Sequence, residues 1–379
     1  MNKIDNRTRR DFFGATPFCS IGKSAALVFA WLLFALTALP LQADVDFSGK
    51  TVTWILPFEK GGGSDKLARF YAPRLSRALP GQPNVVVRNL PGIASIKGAN
   101  YFALSGVKPD GLTILGTSGS TQFPYLLNDP RVKYDYKDWH VVLASATGGV
   151  VYLPTEIGEQ WNADPVSVMD TYFVFGSQGP GRLDLIPLLA FDMLGMKVEP
   201  IFGIKGRDVG RTMFERGEVN IDYQTTTAFL SQIKPLVNLG RAVPIMSWGV
   251  LDEKGDIVRD PTFPDLPTFK EVYRQIKGEE PSGDAWEAWK AFFVAGFSAQ
   301  KMLFLPKGTS QEIVDTYTNA VRRVFDEESF QVDANTHLGL YPQVTGDTAK
   351  DFLRRGTQVE PELIDWVKGW LKQKYGVRL

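Results

Sequence analysis

Two glycine-rich turns carry the residue types and spacing best suited to bind an anion. In the segment 51–69 (TVTWILPFEKGGGSDKLAR), Gly61, Gly62 and Gly63 separate a predicted buried strand from a predicted helix. Glycine can adopt positive φ and lets backbone N–H groups approach a guest, and the helix N-terminus adds unpaired donors with partial positive charge. A second turn, 176–181 (GSQGPG), repeats this arrangement. An ordinary strand–turn–helix connection would explain either turn alone, but the recurrence favours binding by main-chain amides.

The candidate binding residues follow predicted strands, which is where open α/β sheets place their ligands. We expect ligand contacts from Phe58, Gly61, Gly62, Gly63, Ser64, Thr117, Ser118, Gly119, Ser177, Gln178, Gly179, Gly181, Arg182 and Asp222. Asp65 is expected to cap the helix and hold the first turn, because its charge would repel an anion. Arg182 either clamps a distal carboxylate or lies on the surface. Asp222 either binds a polar ligand group or braces the hinge.

No pattern in the sequence announces catalysis, and we expect neither an enzyme nor a cofactor. The only histidines, His140 and His337, have no neighbours at metal-ligand spacing, so a zinc site is not predicted. Residues 116–120 (GTSGS) lack the final glycine of a nucleophile elbow, and a catalytic triad would need one of these two histidines. A hydrolase or lyase that uses Ser118 or Asp222 is therefore the weaker alternative.

The order of elements predicts an α/β protein with two lobes. Short apolar runs alternate with amphipathic stretches, which is typical of mostly parallel sheets flanked by helices. Clear helices are predicted at 96–104, 183–194, 311–325 and 361–375, and an apolar strand is predicted at 289–297. The unit of glycine-rich turn plus helix occurs once in each half of the chain. We assign 44–147 with 268–379 to the first lobe and 148–267 to the second, with the ligand cleft between them.

The first 43 residues resemble an export signal. Five basic residues accompany two acidic ones, and an apolar run of 15 residues from Ala25 to Leu39 follows, which is short for a membrane span. The segment 8–13 (TRRDFF) resembles a twin-arginine motif, although chance pairing in a basic leader is the alternative. Cleavage after Ala43 would remove Cys19, the only cysteine, so neither disulfides nor thiolate chemistry are expected in the mature chain. These features predict a periplasmic protein.

The overall charge excludes one class of partner. The chain of 379 residues has 42 basic and 42 acidic residues, and it contains no long basic run. Nucleic-acid binding is therefore not expected. We expect a monomer whose partners are a small solute and a membrane protein.

Eight segments in order resemble the solute receptors of tripartite tricarboxylate transporters, known as the Bug or TctC family. They span nearly all of the chain that would follow the signal. They are 57–69, 89–99 (NLPGIASIKGA), 109–113 (PDGLT), 176–184, 204–206, 217–222, 263–268 and 305–309. The resemblance implies a two-lobed fold that captures a small carboxylate in its cleft, through amides, hydroxyls and water, and delivers it to a membrane transporter. A sensory receptor with the same fold and site is the alternative.

Some positions depart from the family pattern. Ala94 and Ser95 replace the usual glycine pair, Arg182 stands where serine is common, and Asp184 stands where histidine is frequent. Residues 298–304 resemble an insertion. The ligand is therefore expected to differ from the usual di- and tricarboxylates.

Overall fold

The computed structural model describes Gly14 and residues 45–379. The predicted export signal, with Cys19 and the cleavage position Ala43, lies outside the described residues. Val45–Leu379 form one compact unit. Within this described part of the chain, every helix is too short or too polar to cross a membrane.

The strands are numbered β1 to β13 in chain order. They are β1 Thr51–Leu56, β2 Asn84–Asn89, β3 Thr113–Thr117, β4 His140–Ser145, β5 Gly149–Leu153, β6 Tyr172–Ser177, β7 Lys197–Phe202, β8 Asp222–Thr225, β9 Val243–Ser247, β10 Val250–Leu251, β11 Ile257–Val258, β12 Lys301–Leu305 and β13 Gln343–Val344. Most of them lie within a residue or two of the apolar runs that predicted them.

The helices are numbered α1 to α14. They are α1 Gly63–Ala78, α2 Ile96–Leu104, α3 Gly119–Leu126, α4 Thr155–Ala163, α5 Leu185–Leu194, α6 Arg207–Glu215, α7 Thr226–Ala228, α8 Lys234–Asn238, α9 Phe269–Lys277, α10 Gly283–Phe293, α11 Gln311–Phe325, α12 Phe330–His337, α13 Gly346–Gly356 and α14 Pro361–Tyr375. The predicted bounds of α2, α11 and α14 are confirmed to the residue. Gly195 ends α5 with a φ of 78°, as a C-terminal glycine should.

A six-stranded sheet organises the first lobe. Its order is β13-β4-β12-β3-β1-β2. Strands β1, β2 and β3 pair in parallel, and β12 runs antiparallel between β3 and β4. Four of the six strands therefore point the same way, which agrees with the predicted mostly parallel sheet. Helices α1 and α11 pack on one face, where Trp54, Tyr71 and Tyr317 are buried.

A second group of strands organises the other lobe. Strand β5 lies between β8 and β9 and runs antiparallel to both. Strands β6 and β7 pair in parallel, and a parallel bridge from Phe175 to Ile221 joins them to the chain just before β8. The core here includes Phe173, Phe191 and Trp289. This mixed α/β architecture confirms the predicted fold class.

Two expectations about the region 283–305 are wrong. Residues 289–297, predicted as a strand, are the end of α10 followed by a π-helical turn at Val294–Ser298. The rings of Trp286, Trp289, Phe293 and Phe297 stack in succession along this helix. Their spacing of three and four residues is a helical period, which the apolar run concealed.

The second correction concerns residues 298–304, which resemble an insertion in the sequence. Most of this segment forms β12, a buried strand in the middle of the six-stranded sheet. The preceding helices α9 and α10, which the sequence assigns to the first lobe, share the core of Phe173 and Phe175. The residue boundaries of the lobes stay a prediction.

Candidate anion-binding cavity

A cavity of about 520 Å³ lies where loops of both strand groups meet. The side of the six-stranded sheet contributes Pro57, Phe58, Glu59, Gly62, Gly63, Ser64, Pro91, Gly92, Ile93, Ser95, Ser118, Ser120, Arg131, Gln300 and Lys301. The other side contributes Gln178, Arg182, Leu183, Gly203, Ile204, Lys205, Gly206, Arg207, Asp208, Gln224 and Thr225. A volume of this size is typical of small-molecule sites.

The cavity brings half of the predicted binding residues together. Those that line it are Phe58, Gly62, Gly63, Ser64, Ser118, Gln178 and Arg182. The residues Gly61, Thr117, Gly119, Ser177, Gly179, Gly181 and Asp222 do not line it. Each of the three predicted loops, after β1, β3 and β6, therefore contributes at least one residue to the lining of the cavity.

The first glycine-rich turn is held by a buried carboxylate. Asp65 accepts hydrogen bonds from the backbone N–H of Gly61, from Arg69 Nε and from Asn89 Nδ2, each at 3.0 Å. Burial raises the pKa of Asp65, but the hydrogen bonds from Arg69, Gly61 and Asn89 outweigh it and hold the pKa below its ordinary value. Asp65 thus holds the turn through the Gly61 amide, but it lies within the first turn of the helix and does not cap it as predicted.

Helix α1 directs its N-terminus at the cavity. Its N-cap residue is Gly62, and no side chain caps the first turn. A Cβ atom on Gly63 would lie 2.6 Å from Thr225 Oγ1 and 3.5 Å from Lys301 Nζ. Glycine is therefore required at 63 by the close approach of β8, and the helix terminus lies beside the amine of Lys301.

The second glycine-rich turn has the same design. The buried Asp184 accepts hydrogen bonds from Gln178 N at 2.6 Å, Ser177 Oγ at 3.0 Å and Tyr223 Oη at 2.8 Å. Ser177 Oγ in turn accepts the N–H of Gly179 at 3.1 Å. The amides of Gln178 and Gly179 are thus engaged within the turn, and Ser177 supports the site without lining it.

Asp222 belongs to a buried network behind the cavity. Its carboxylate is bound by Tyr152 Oη and Arg207 Nη2, and by Gln224 Nε2 at 3.1 Å. Arg207 also donates to Asp184 Oδ2 at 3.4 Å. Arg207 lines the cavity, yet its charge is matched by two carboxylates. The network holds elements of the second lobe together. The contacts of Asp222 therefore agree with a bracing role rather than with binding of a polar ligand group.

Arg182 lines the cavity and is 6% exposed. Its Nη2 donates to the Ile93 carbonyl at 3.3 Å, which connects the second lobe to the loop after β2. Nη1 is buried and has no hydrogen-bond partner among the described residues. Burial, followed by the charge of Arg131, lowers the pKa of Arg182. A guanidinium edge with an unpartnered N–H group is suited to an incoming acceptor.

Lys301 was missed by the sequence reasoning. It is the first residue of β12, is 3% exposed, and donates from Nζ to Gln300 Oε1 at 2.6 Å. Burial lowers the pKa of Lys301 from 10.5 to about 7. The sequence did contain one signal, because a single lysine begins the otherwise apolar run Lys301–Leu305. A charge at the start of a buried central strand is unfavourable unless it has a partner.

Serine hydroxyls complete the wall near β3. Ser118 is the N-cap of α3, and its Oγ accepts the Ser120 N–H at 3.3 Å. Ser95 Oγ donates to the Ser120 carbonyl at 3.0 Å. Thr121 completes the capping box, and Ser120 lines the cavity beside Ser118.

The residues that line the cavity determine the chemistry that it can support. Neither His140 nor His337 lines it. Among residues 45–379, no cluster of histidine, cysteine or carboxylate side chains could hold a metal ion. The lining is instead rich in N–H and hydroxyl donors and in cations, which is suited to binding an anion.

Comparison with known proteins finds a relative that matches most of the chain. No protein-family model matches the chain. The UPF0065 protein in the TAR-I ttuE-ttuC' intergenic region of Agrobacterium vitis is 26% identical over 353 residues, which cover 89% of this chain and 90% of that protein.

Solved structures share the fold. The periplasmic binding protein BugD gives a TM-score of 0.63 at 19% identity, over 88% of this chain and 99% of that one. Rpa4515 of R. palustris with adipate gives a TM-score of 0.64 at 21% identity, over 86% and 99%. The chain therefore has the two-lobed fold of periplasmic binding proteins, which is the fold that the resemblance implies. These neighbours are binding proteins rather than enzymes.

Proposed function

We propose that the protein is a periplasmic solute receptor that captures a small carboxylate between its lobes and delivers it to a membrane transporter of the tripartite tricarboxylate type. The observation that carries the proposal is the cavity itself. It collects the N-terminus of α1, the Arg182 guanidinium and the Lys301 amine from both lobes around one space. A solute that contacts both lobes selects the closed arrangement, which the transporter could then distinguish from the empty one.

The chemistry of the lining favours an acid as the solute. Arg182 retains an unpartnered N–H group, and Lys301 is buried beside a neutral glutamine. The acidic residues at the cavity, Glu59 and Asp208, face an excess of cations (Arg131, Arg182, Lys205, Arg207 and Lys301). The structural neighbour Rpa4515 holds adipate, a small dicarboxylate. The periplasm is the compartment in which such receptors act, and the predicted export signal is consistent with it.

A thermal-shift screen tests the solute class. The panel is acetate, benzoate, malate and adipate, with adipamide and malamide as neutral controls of matched size, all at constant ionic strength. At least one acid should raise the melting temperature increasingly with its concentration, because a ligand of the native state stabilises it by mass action. Equal shifts from the amides, or no shift from any acid, would contradict the proposal.

Uptake in cells separates a transport receptor from a sensory one. Cells that lack this protein are given the labelled acid with the largest thermal shift. Loss of uptake, restored by the wild-type chain, is the result expected of a transport receptor. Normal uptake with a lost transcriptional response to the same acid would support the sensory alternative instead.

A further inference from the structure

We propose that Lys301 binds the anionic group of the solute directly through its ammonium, and that the protein takes up a proton when the anion enters. This inference rests on the proposed function and assigns the residue that recognises the acid. It differs from the expectation stated from the sequence, in which amides, hydroxyls and water hold the solute and Arg182 is the one candidate cation.

The position of Lys301 is the first argument. It opens β12, which lies between β3 and β4 in the middle of the six-stranded sheet, with Ser145 as its partner across the pair. Its Nζ lies 3.5 Å from where a Cβ of Gly63 would be, beside the uncapped N-terminus of α1. The ammonium and the helix terminus thus favour a negative group at the same place.

The lack of a counter-charge is the second argument. Lys301 forms no salt bridge among the described residues, and Gln300 supplies its one hydrogen-bond acceptor. Asp65, in the first turn of α1, is bound by Arg69 and Asn89 and turned to the Gly61 amide. An ammonium has three donors, so two remain for an anion in the cavity.

The other charged groups of the cavity do not neutralise Lys301. Arg131 pairs with Asp129, and Arg207 pairs with Asp184 and Asp222. The remaining charged lining residues are Glu59, Arg182, Lys205 and Asp208. Burial alone lowers the pKa of Lys301 to about 7, with no Coulombic contribution from any of them. A lone buried amine is unfavourable without a partner, and the solute supplies that partner.

The engaged amides are the third argument. The N–H groups of Gly61, Gln178 and Gly179, expected to bind the anion, are used by Asp65, Asp184 and Ser177 inside the turns. Fewer main-chain donors are left than the sequence suggested. The charge of Lys301 compensates for them, because a charge-assisted hydrogen bond is about twice as strong as a neutral one.

Substitution of the amine by an uncharged side chain of similar length gives the first test. We expect Lys301→Met to weaken the best-binding acid of the panel about 10- to 100-fold by calorimetry. The variant without solute should melt at a higher temperature than the wild type, because the buried amine is gone. Lys60→Met is the matched control, since Lys60 is exposed beside the first turn and does not line the cavity. It should change neither quantity.

Proton uptake gives the second test. Above the range in which the carboxylic acids themselves titrate, the affinity of the wild type should change little up to about pH 7 and then fall about tenfold per pH unit, until the pKa of the complex is reached. Calorimetry at pH 8 in two buffers of different ionisation enthalpy should show nearly one proton taken up per acid bound. Lys301→Met should show almost none.

The outcomes distinguish this inference from the proposed function. Acid binding in the wild type that persists unchanged in Lys301→Met, with no proton uptake, would overturn the role of Lys301 and leave the receptor function standing. No acid binding in wild type or in Lys60→Met would overturn both. A loss of binding in Lys301→Met together with a lower melting temperature would indicate damaged packing and would also contradict the assignment.

Discussion

At the scale of single residues, buried carboxylates fix the two glycine-rich turns. Asp65 and Asp184 each accept three or more hydrogen bonds from donors of their own turn and its neighbours. These hydrogen bonds occupy some of the backbone N–H groups of the turns and fix the shape of the turns. The cations of the cavity then differ in kind. Arg207 pairs with the carboxylates of Asp184 and Asp222, whereas Arg182 and Lys301 form no salt bridge among the described residues and retain donors for a guest.

The titration of Lys301 predicts how stability depends on pH. Its pKa is about 7 in the folded protein and 10.5 as the ordinary value. Between these values the unfolded chain binds more protons than the folded one, so this residue makes stability rise with pH, and its penalty is complete below pH 7. Urea unfolding at pH 7, 8 and 9 should therefore show a gap between Lys301→Met and wild type that narrows as pH rises. A gap that stays constant would contradict the folded-state pKa.

At the scale of elements, the site depends on how closely helix α1 approaches β8. Gly62 and Gly63 are neighbours in sequence but differ in their surroundings. A Cβ on Gly63 would lie 2.6 Å from Thr225 Oγ1, whereas one on Gly62 would meet nothing within 4 Å, at an ordinary φ of −74°. The glycine at 63 is therefore a packing requirement between lobes, and the one at 62 is not.

This difference predicts that alanine at position 63 lowers the stability of the protein, whereas alanine at position 62 has little effect. Gly63→Ala should lower the free energy of unfolding by about 1–3 kcal/mol, because the added methyl group forces Thr225 or α1 to shift. Gly62→Ala should stay within about 0.5 kcal/mol of the wild type. Urea unfolding measures the change in the free energy of unfolding for both variants. Equal effects would show that α1 moves away from β8 at no cost.

At the scale of the whole molecule, a buried polar cluster joins distant parts of the chain beside the segment that connects the six-stranded sheet to the second strand group. Tyr341 Oη donates to Asp260 Oδ2 at 2.6 Å and lies 2.7 Å from Thr226 Oγ1. A Cβ on Gly148, in the connecting segment between β4 and β5, would lie 2.1 Å from Asp260 Oδ2. Burial raises the pKa of Asp260, with hydrogen bonds from Tyr341 and Thr262 acting against the rise.

Removal of one hydroxyl tests the importance of this cluster. Tyr341→Phe should lower the free energy of unfolding by about 1–3 kcal/mol at pH 7, because the buried Asp260 carboxylate loses a donor. Tyr101→Phe, at an exposed position on α2, is the control and should change it by less than about 0.5 kcal/mol. Chemical denaturation measures both. Equal free energies of unfolding for the two variants would show that the stability of the protein does not depend on this cluster.

The local patterns of the sequence predicted much of the fold. The amphipathic periods of α2, α11 and α14 and the glycine that ends α5 are short-range signals, and they located these helices closely. The sequence pattern did not predict α10, because a short run rich in aromatic residues is equally compatible with a strand. It also failed at β12, whose pairing with β3 and β4 joins residues more than 150 positions apart.

The sequence by itself determined the class of element at most positions, the two glycine-rich turns and the kind of protein they resemble, because these depend on neighbouring residues. Only the tertiary structure decided which donors are free to bind. Asp184 and Asp65 use amides that looked available, and Asp222 is taken up by Arg207. Lys301 became the central cation because β12 carries it into the interior beside α1, and burial and counter-charge depend on residues far apart in the chain.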